Sequence, residues 1–144
     1  MKPRSWHTIA LVLIAGLSVL LTLGALFIDD YRDRFVYNPR EQAAEAAILQ
    51  IAKQQQALRQ SGADFVAFGT ADVERDRALL GLPWEMFPTE LFTFDAEALE
   101  SGAIRLRALP RPDRVARLDV RARMYLADLN PGGDVARAGW FPEN

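Results

Sequence analysis

The sequence predicts an α+β protein in which an N-terminal transmembrane helix extends into an amphipathic helix packed on a small antiparallel β-sheet. Three patterns predict it. Thr8 to Ile28 holds 21 residues without a charge, Ala44 to Leu58 carries apolar residues at helical spacing, and from Glu90 the apolar residues recur every second position.

The uncharged run comes first. At about 1.5 Å per helical residue it spans roughly 31 Å, the hydrocarbon thickness of a bilayer. Lys2 and Arg4 followed by apolar residues also fit a signal peptide, but the run is long for one and no small-x-small cleavage site precedes Asp29. An uncleaved anchor is therefore expected. Lys2 and Arg4 on one flank and Asp29-Asp30 on the other place the N-terminus in the cytoplasm by the positive-inside rule. In a bacterium this means a single-pass inner-membrane protein with a periplasmic head. Within the run Ala15, Ser18, Thr22 and Ala25 fall on one helix face, where small and hydroxylated residues admit a neighbouring helix closely. Small residues are also simply common in membrane helices. Trp6 and His7 occupy the headgroup level.

Asp29 to Tyr37 is charged but keeps Tyr31 and Phe35 at helical spacing. Asn38-Pro39-Arg40-Glu41 reads as an N-cap, a Pro in the first turn and a capping-box Glu, predicting a break near Asn38 and a new helix start. Ala44, Ala47, Ile48, Ile51, Ala52 and Leu58 then form the buried stripe, and Ser61-Gly62 stops the helix. Gln50, Lys53, Gln54 and Arg59 form its polar face, open to solvent or a partner. Residues 62 to 89 show no clean period. Gly69 to Asp72 reads as a loop, Asp72 to Leu80 as one or two helical turns, and Gly81-Leu82-Pro83-Trp84 with Phe87-Pro88 as turns whose aromatics plug the core edge.

Leu91–Asp95, Ala103–Leu109 and Leu118–Leu129 read as strands. In the last, Leu118, Val120, Ala122, Met124 and Leu126 are expected on one face and Asp119, Arg121, Arg123 and Tyr125 on the other. Asn130-Pro131-Gly132-Gly133-Asp134 is a turn, and Val135–Trp140 returns as a fourth strand. The expected division is 1–7 cytoplasmic, 8–28 transmembrane, 29–61 stem helix and 62–144 antiparallel β head.

Composition narrows the function. With no cysteine, thiol catalysis, disulfides and cysteine-ligated metals are excluded. Beyond the anchor there are 15 basic and 19 acidic residues, which argues against a nucleic-acid partner. The only histidine is His7, no G-x-S-x-G or phosphate loop occurs, and no zinc or calcium ligand spacing is present. Asp72 with Asp76, or Glu97 with Glu100, could share a helix face, but solvated carboxylates explain them more simply. The expectation is a non-enzymatic protein with no cofactor, no metal and no small-molecule substrate.

The charge pattern is uneven. Residues 72–100 hold eight acids and two arginines, and residues 105–123 hold seven arginines and two acids. Arg105, Arg107, Arg121 and Arg123 alternate with apolar residues and so form a charged face. Either the acidic segment pairs with it inside one head, or it meets another subunit or an anionic surface.

Tyr31-Arg32-Asp33, then Glu41 to Gln56 with its Ala/Glu-rich repeat, then Ser61-Gly62-Ala63-Asp64-Phe65, resemble the helix and post-helix segment of type IV pilins, especially minor pilins of the PilE class. Leu80-Gly81-Leu82-Pro83, Phe92-Thr93-Phe94, Ala103 to Ala108 and Gly139-Trp140 have loose counterparts there. Aligned on Tyr31, His7 stands at the family's processing glycine, Thr8 at its first mature residue, Val12 at its glutamate and Asp29 at its usual proline. The C-terminal disulfide of that family is absent. The resemblance implies a pilin-like head and stem without the ordinary processing route. Two roles follow: a pilin-like structural subunit of a filament or secretion complex, or an accessory single-pass subunit of a membrane enzyme or energy-conversion complex. The partners expected are membrane lipid and other transmembrane subunits, in a homo- or hetero-oligomer.

Overall fold

The computed structural model describes residues 6–69, 78 and 80–143. Lys2, Arg4, Asp72, Asp76 and most of the turns expected over 72–80 lie outside the described residues. The chain forms two compact units, one ending at Val36 and one beginning at Tyr37.

The first unit is helix α1 (Trp6–Arg32), which is long and apolar enough to cross a membrane. Its leucine, isoleucine and valine side chains stand outward on all sides and none is buried. A helix apolar all round needs a covering, from protein or from lipid. Past the run, Tyr31 and Phe35 bring their rings to 4.9 Å, and the Arg34 guanidinium donates to Asp30 at 3.1 Å.

The helical backbone runs from Trp6 to Gln60 without the break expected at Asn38. In its place stands a π-helical turn, Asp33–Tyr37, followed by α2 (Asn38–Gln60). The proline explains it. Inside a regular helix the Pro39 ring would clash with the carbonyl four residues back, that of Phe35, and the wider π turn holds Phe35 within it. The capping box does not form either. Tyr37 precedes α2 in helical geometry with no side-chain cap, and Glu41 turns instead towards arginines from the far end of the chain.

The second unit is the α+β part. Its α2 buries Ala44, Ala47, Ile48, Ile51, Ala52 and Gln55 against β2 and β3 of a four-stranded antiparallel sheet in the order β1-β2-β3-β4. The strands are β1 (Phe92–Ala98), β2 (Ile104–Pro110), β3 (Arg123–Leu129) and β4 (Val135–Pro142), with a short helix α3 (Pro112–Ala116) between β2 and β3. Helix α2 ends with Gly62 at φ 83°, while the amides of Gly62 and Ala63 donate back to Arg59 and Leu58. Only a residue that tolerates the left-handed conformation closes a helix this way.

The third strand departs from expectation in length and in parity. Pro110 and Pro112 end β2 and start α3, so the chain becomes extended again only at Arg123. The alternation from Leu118 therefore does not carry into the sheet. Tyr125, Ala127 and Leu129 face α2, opposite Ala108, Leu106 and Ile104 of β2, while Met124 and Leu126 take the other face. Tyr125 meets Trp140 of β4 at 5.3 Å, which fixes the aromatic on the helix side. Val120 reaches the core from the loop.

The aromatics of the aperiodic stretch do enter the core. Phe68, Trp84, Phe87 and Phe94 form a file of ring contacts at 5.5, 5.0 and 5.8 Å. Phe68 also bridges Ala96 through two backbone hydrogen bonds, covering part of the β1 edge. At the other end, the turn after β3 presses on α2. Gly133, at φ 96°, favours glycine by its backbone conformation, and a Cβ there would make ordinary contact with Gln56 and Arg59 at 3.6 Å.

Candidate functional site

Two places in the chain concentrate features that can recognise something: the face of α1 and the arginines of the head. On α1, Ala15, Ser18, Thr22 and Ala25 are all exposed. The Thr22 hydroxyl donates to the Ser18 carbonyl at 2.8 Å. That bond satisfies the threonine within its own helix, as an apolar environment requires. The Ser18 hydroxyl makes no hydrogen bond among the described residues and can serve a neighbouring helix. Shallow grooves on the same helix are lined by Thr8, Ile9, Val12 and Leu13, and by Leu23, Leu26, Phe27 and Asp30. These are surface furrows between side chains of one helix, with no convergent polar groups.

The four arginines divide between the two faces of the sheet. Arg105 and Arg107 lie on the face away from α2, because Ile104, Leu106 and Ala108 fill the inner one. Arg105 donates to both oxygens of Asp128 at 2.8 and 3.1 Å, and Arg107 to both of Asp95 at the same distances. Arg107 also lies 3.3 Å from Glu97. These forked pairs raise the pKa of both guanidinium groups. In register, Glu97, Arg105, Asp128 and Arg137 stand side by side across all four strands with alternating sign. Arg137 lies 4.2 Å over the Phe141 ring.

Arg121 and Arg123 turn the other way, to the start of α2. Both bind Glu41, which is 5% exposed, Arg121 at 3.0 Å and Arg123 through Nε at 2.8 Å and through Nη2. Arg121 also sits 5.0 Å over the Tyr37 ring, and Arg123 lies 5.1 Å over that of Trp140. Nearby, Arg40 donates to the carbonyl and carboxylate of Asp119 at 2.6 and 3.3 Å. Each of the four arginines thus has a carboxylate inside the head. Of the partners named here, Asp95 and Glu97 come from the acidic segment and Asp128 and Glu41 do not.

Compared with known proteins, the chain matches no family model, no curated protein and no solved structure. Its own geometry carries the functional reading.

Glu97 and Glu100, considered as a helical pair, stand on a strand and in the turn after it. Among the described residues no three His, Asp or Glu side chains gather as metal ligands would. The burial of two polar residues was not read from the sequence: Glu41, which the capping-box reading had placed at the helix start, and Gln55. Gln55 lies on the inner stripe at i, i+4 from Ile51, and that position was the available signal.

Proposed function

We propose that this chain is a non-enzymatic, single-pass, membrane-anchored subunit of pilin-like organisation that packs through its N-terminal helix into a larger membrane assembly. One observation carries the proposal: α1 exposes an uncharged apolar surface from Thr8 to Ile28, with none of its residues buried. A surface of that extent is stable in lipid or against other helices, not in water. With the basic flank inside, the head faces the periplasm of a bacterium.

Docking is assigned to Ala15, Ser18, Thr22 and Ala25, where a second helix approaches most closely. The arginines contribute less to docking, because Arg105, Arg107, Arg121 and Arg123 already hold internal carboxylates. A second reading, an accessory subunit of a membrane enzyme or energy-conversion complex, is favoured by Val12 and His7, which stand where a processed pilin carries glutamate and glycine. In that case the anchor stays unprocessed.

Purification from native membranes tests both. The wild-type chain is expected to co-migrate with other transmembrane subunits, and Ala15→Leu with Ala25→Leu to release it. Recovery as a free monomer, or in the soluble fraction, would overturn the proposal. The N-terminal mass separates the two readings: a start near Thr8 indicates a processed pilin, a start at Met1 the permanent anchor.

A further inference from the structure

We propose that the α3–β3 corner of the head, with Arg111, Arg117 and Leu118, rests on the anionic lipid surface beside the anchor. The inference depends on the membrane-anchored reading above and adds a second point of membrane contact. Three observations lead to it.

The first is position. Arg40 holds Asp119, and Arg121 reaches Asn38 at 3.5 Å, so the loop after α3 lies against the first turn of α2. Nine residues, Asp29 to Tyr37, join the last apolar residue of the run to Asn38. Even fully extended they reach only about 30 Å, which tethers this end of the head to the membrane. The turns at 99–103 and 130–134 lie at the opposite end, where Arg59 of the last turn of α2 meets the Pro131 carbonyl at 2.7 Å.

The second is charge. Asp113 is 3.5 Å from Arg114, and Asp119 is shared by Arg40 and Arg114. Arg117 has no ion-pair partner among the described residues, and Arg111 binds only the Thr89 carbonyl, at 2.8 Å. Both are exposed and without a carboxylate partner among the described residues, as a surface that meets lipid phosphates requires.

The third is Leu118. It ends α3 in the left-handed conformation at φ 58° and is 50% exposed, with Pro112 and Ala116 exposed beside it. Gly62 fills the same position at the end of α2 without strain. A branched side chain held out in solvent at such a position fits an apolar tip lying at the headgroup level.

The chain has no cysteine, so single cysteines report position directly. The full chain is reconstituted in phosphatidylglycerol–phosphatidylcholine vesicles containing headgroup-nitroxide or acyl-chain-nitroxide lipid. A fluorophore is placed at Ala116→Cys, at Ser101→Cys on the far end, or at Leu20→Cys in the anchor. Headgroup quenching is expected to be at least about twofold stronger at position 116 than at 101, to weaken in high salt, and to fall in pure phosphatidylcholine. Adding Arg111→Glu with Arg117→Glu is expected to remove the difference while acyl-chain quenching at position 20 persists. Equal quenching at 116 and 101, or no dependence on anionic lipid, with position 20 still quenched, overturns this proposal alone. Loss of quenching at position 20 overturns the anchor itself, and with it this contact.

Discussion

The side-chain amide of Gln55 pairs with the backbone of Val66 as a neighbouring strand would. It donates to the Val66 carbonyl at 2.7 Å and accepts from the Val66 amide at 2.9 Å, while wholly buried. This joins the chain leaving α2 to the helix itself. Gln55→Ala leaves both backbone groups without partners, each a loss of about 1–3 kcal/mol. A fall in the denaturant midpoint equivalent to about 3 kcal/mol is expected, with Gln55→Glu restoring the donor only in its protonated form. A change under about 0.5 kcal/mol would show that water replaces the amide.

Glu41 meets both Arg121 and Arg123. Glu41→Ala takes this carboxylate away from two guanidinium groups at a nearly buried site, and breaking one partner of such a cluster typically costs about 3–5 kcal/mol. The arginine side chains retain 27 and 36% exposure, so the lower end of that range is expected. In a double-mutant cycle with Arg123→Leu, the second substitution should cost much less in the Glu41→Ala background than alone. Full additivity would mean that the pair is not coupled.

Leu118 occupies a position suited to glycine. Its amide donates to Val115 and the Asp119 amide to Arg114, the same closure that Gly62 makes at the end of α2. Leu118→Gly is therefore expected to raise stability by about 1 kcal/mol, read from thermal unfolding. The same substitution should weaken lipid contact at the α3–β3 corner. Destabilisation by Leu118→Gly would mean that the side chain makes a contact stronger than the strain it carries.

Burial raises the pKa of the Tyr125 phenol, and the nearby Glu45 carboxylate adds to the effect. A group whose pKa is raised on folding contributes stability that is present in full below its ordinary value of 10.0 and is lost as pH climbs through the raised one. The head should thus lose stability on titration above about pH 10, and Tyr125→Phe should flatten that limb. An unchanged alkaline limb in Tyr125→Phe would assign it to other groups.

Much of this fold is legible from spacing. The uncharged run, the Ala44–Leu58 stripe and the two-residue period beyond Glu90 each correspond to an observed element, because burial on one face leaves its period in the chain. The start of β3 was hidden, since Leu118, Val120 and Ala122 mimic a strand that Pro110 and Pro112 divert into α3. The parity error followed, because a period read through a turn carries its phase to the wrong face. Glu41 and Gln55 were hidden for a different reason. A polar residue on a helix shows its role only once a partner arrives, and for Glu41 the partners stand 80 and 82 positions away. The pairing of Arg105 and Arg107 was half legible: alternation placed them on one face, but only strand register names Asp128 and Asp95.

The row formed by Glu97, Arg105, Asp128 and Arg137 has a consequence for how the head assembles. A strand that slips by two residues keeps its apolar residues inward, so the core alone does not reject the error. The charges on the outer face do. Sliding β1 along β2 by two places breaks both Asp95–Arg107 and Glu97–Arg105 and leaves a single opposite-charge pairing, Asp95 with Arg105 or Glu97 with Arg107, and the same slip of β3 sets Arg105 opposite Leu126 or Asn130. Exposed ion pairs add little to the depth of the native minimum. Here they act as a ruler, selecting one alignment from several of similar hydrophobic content.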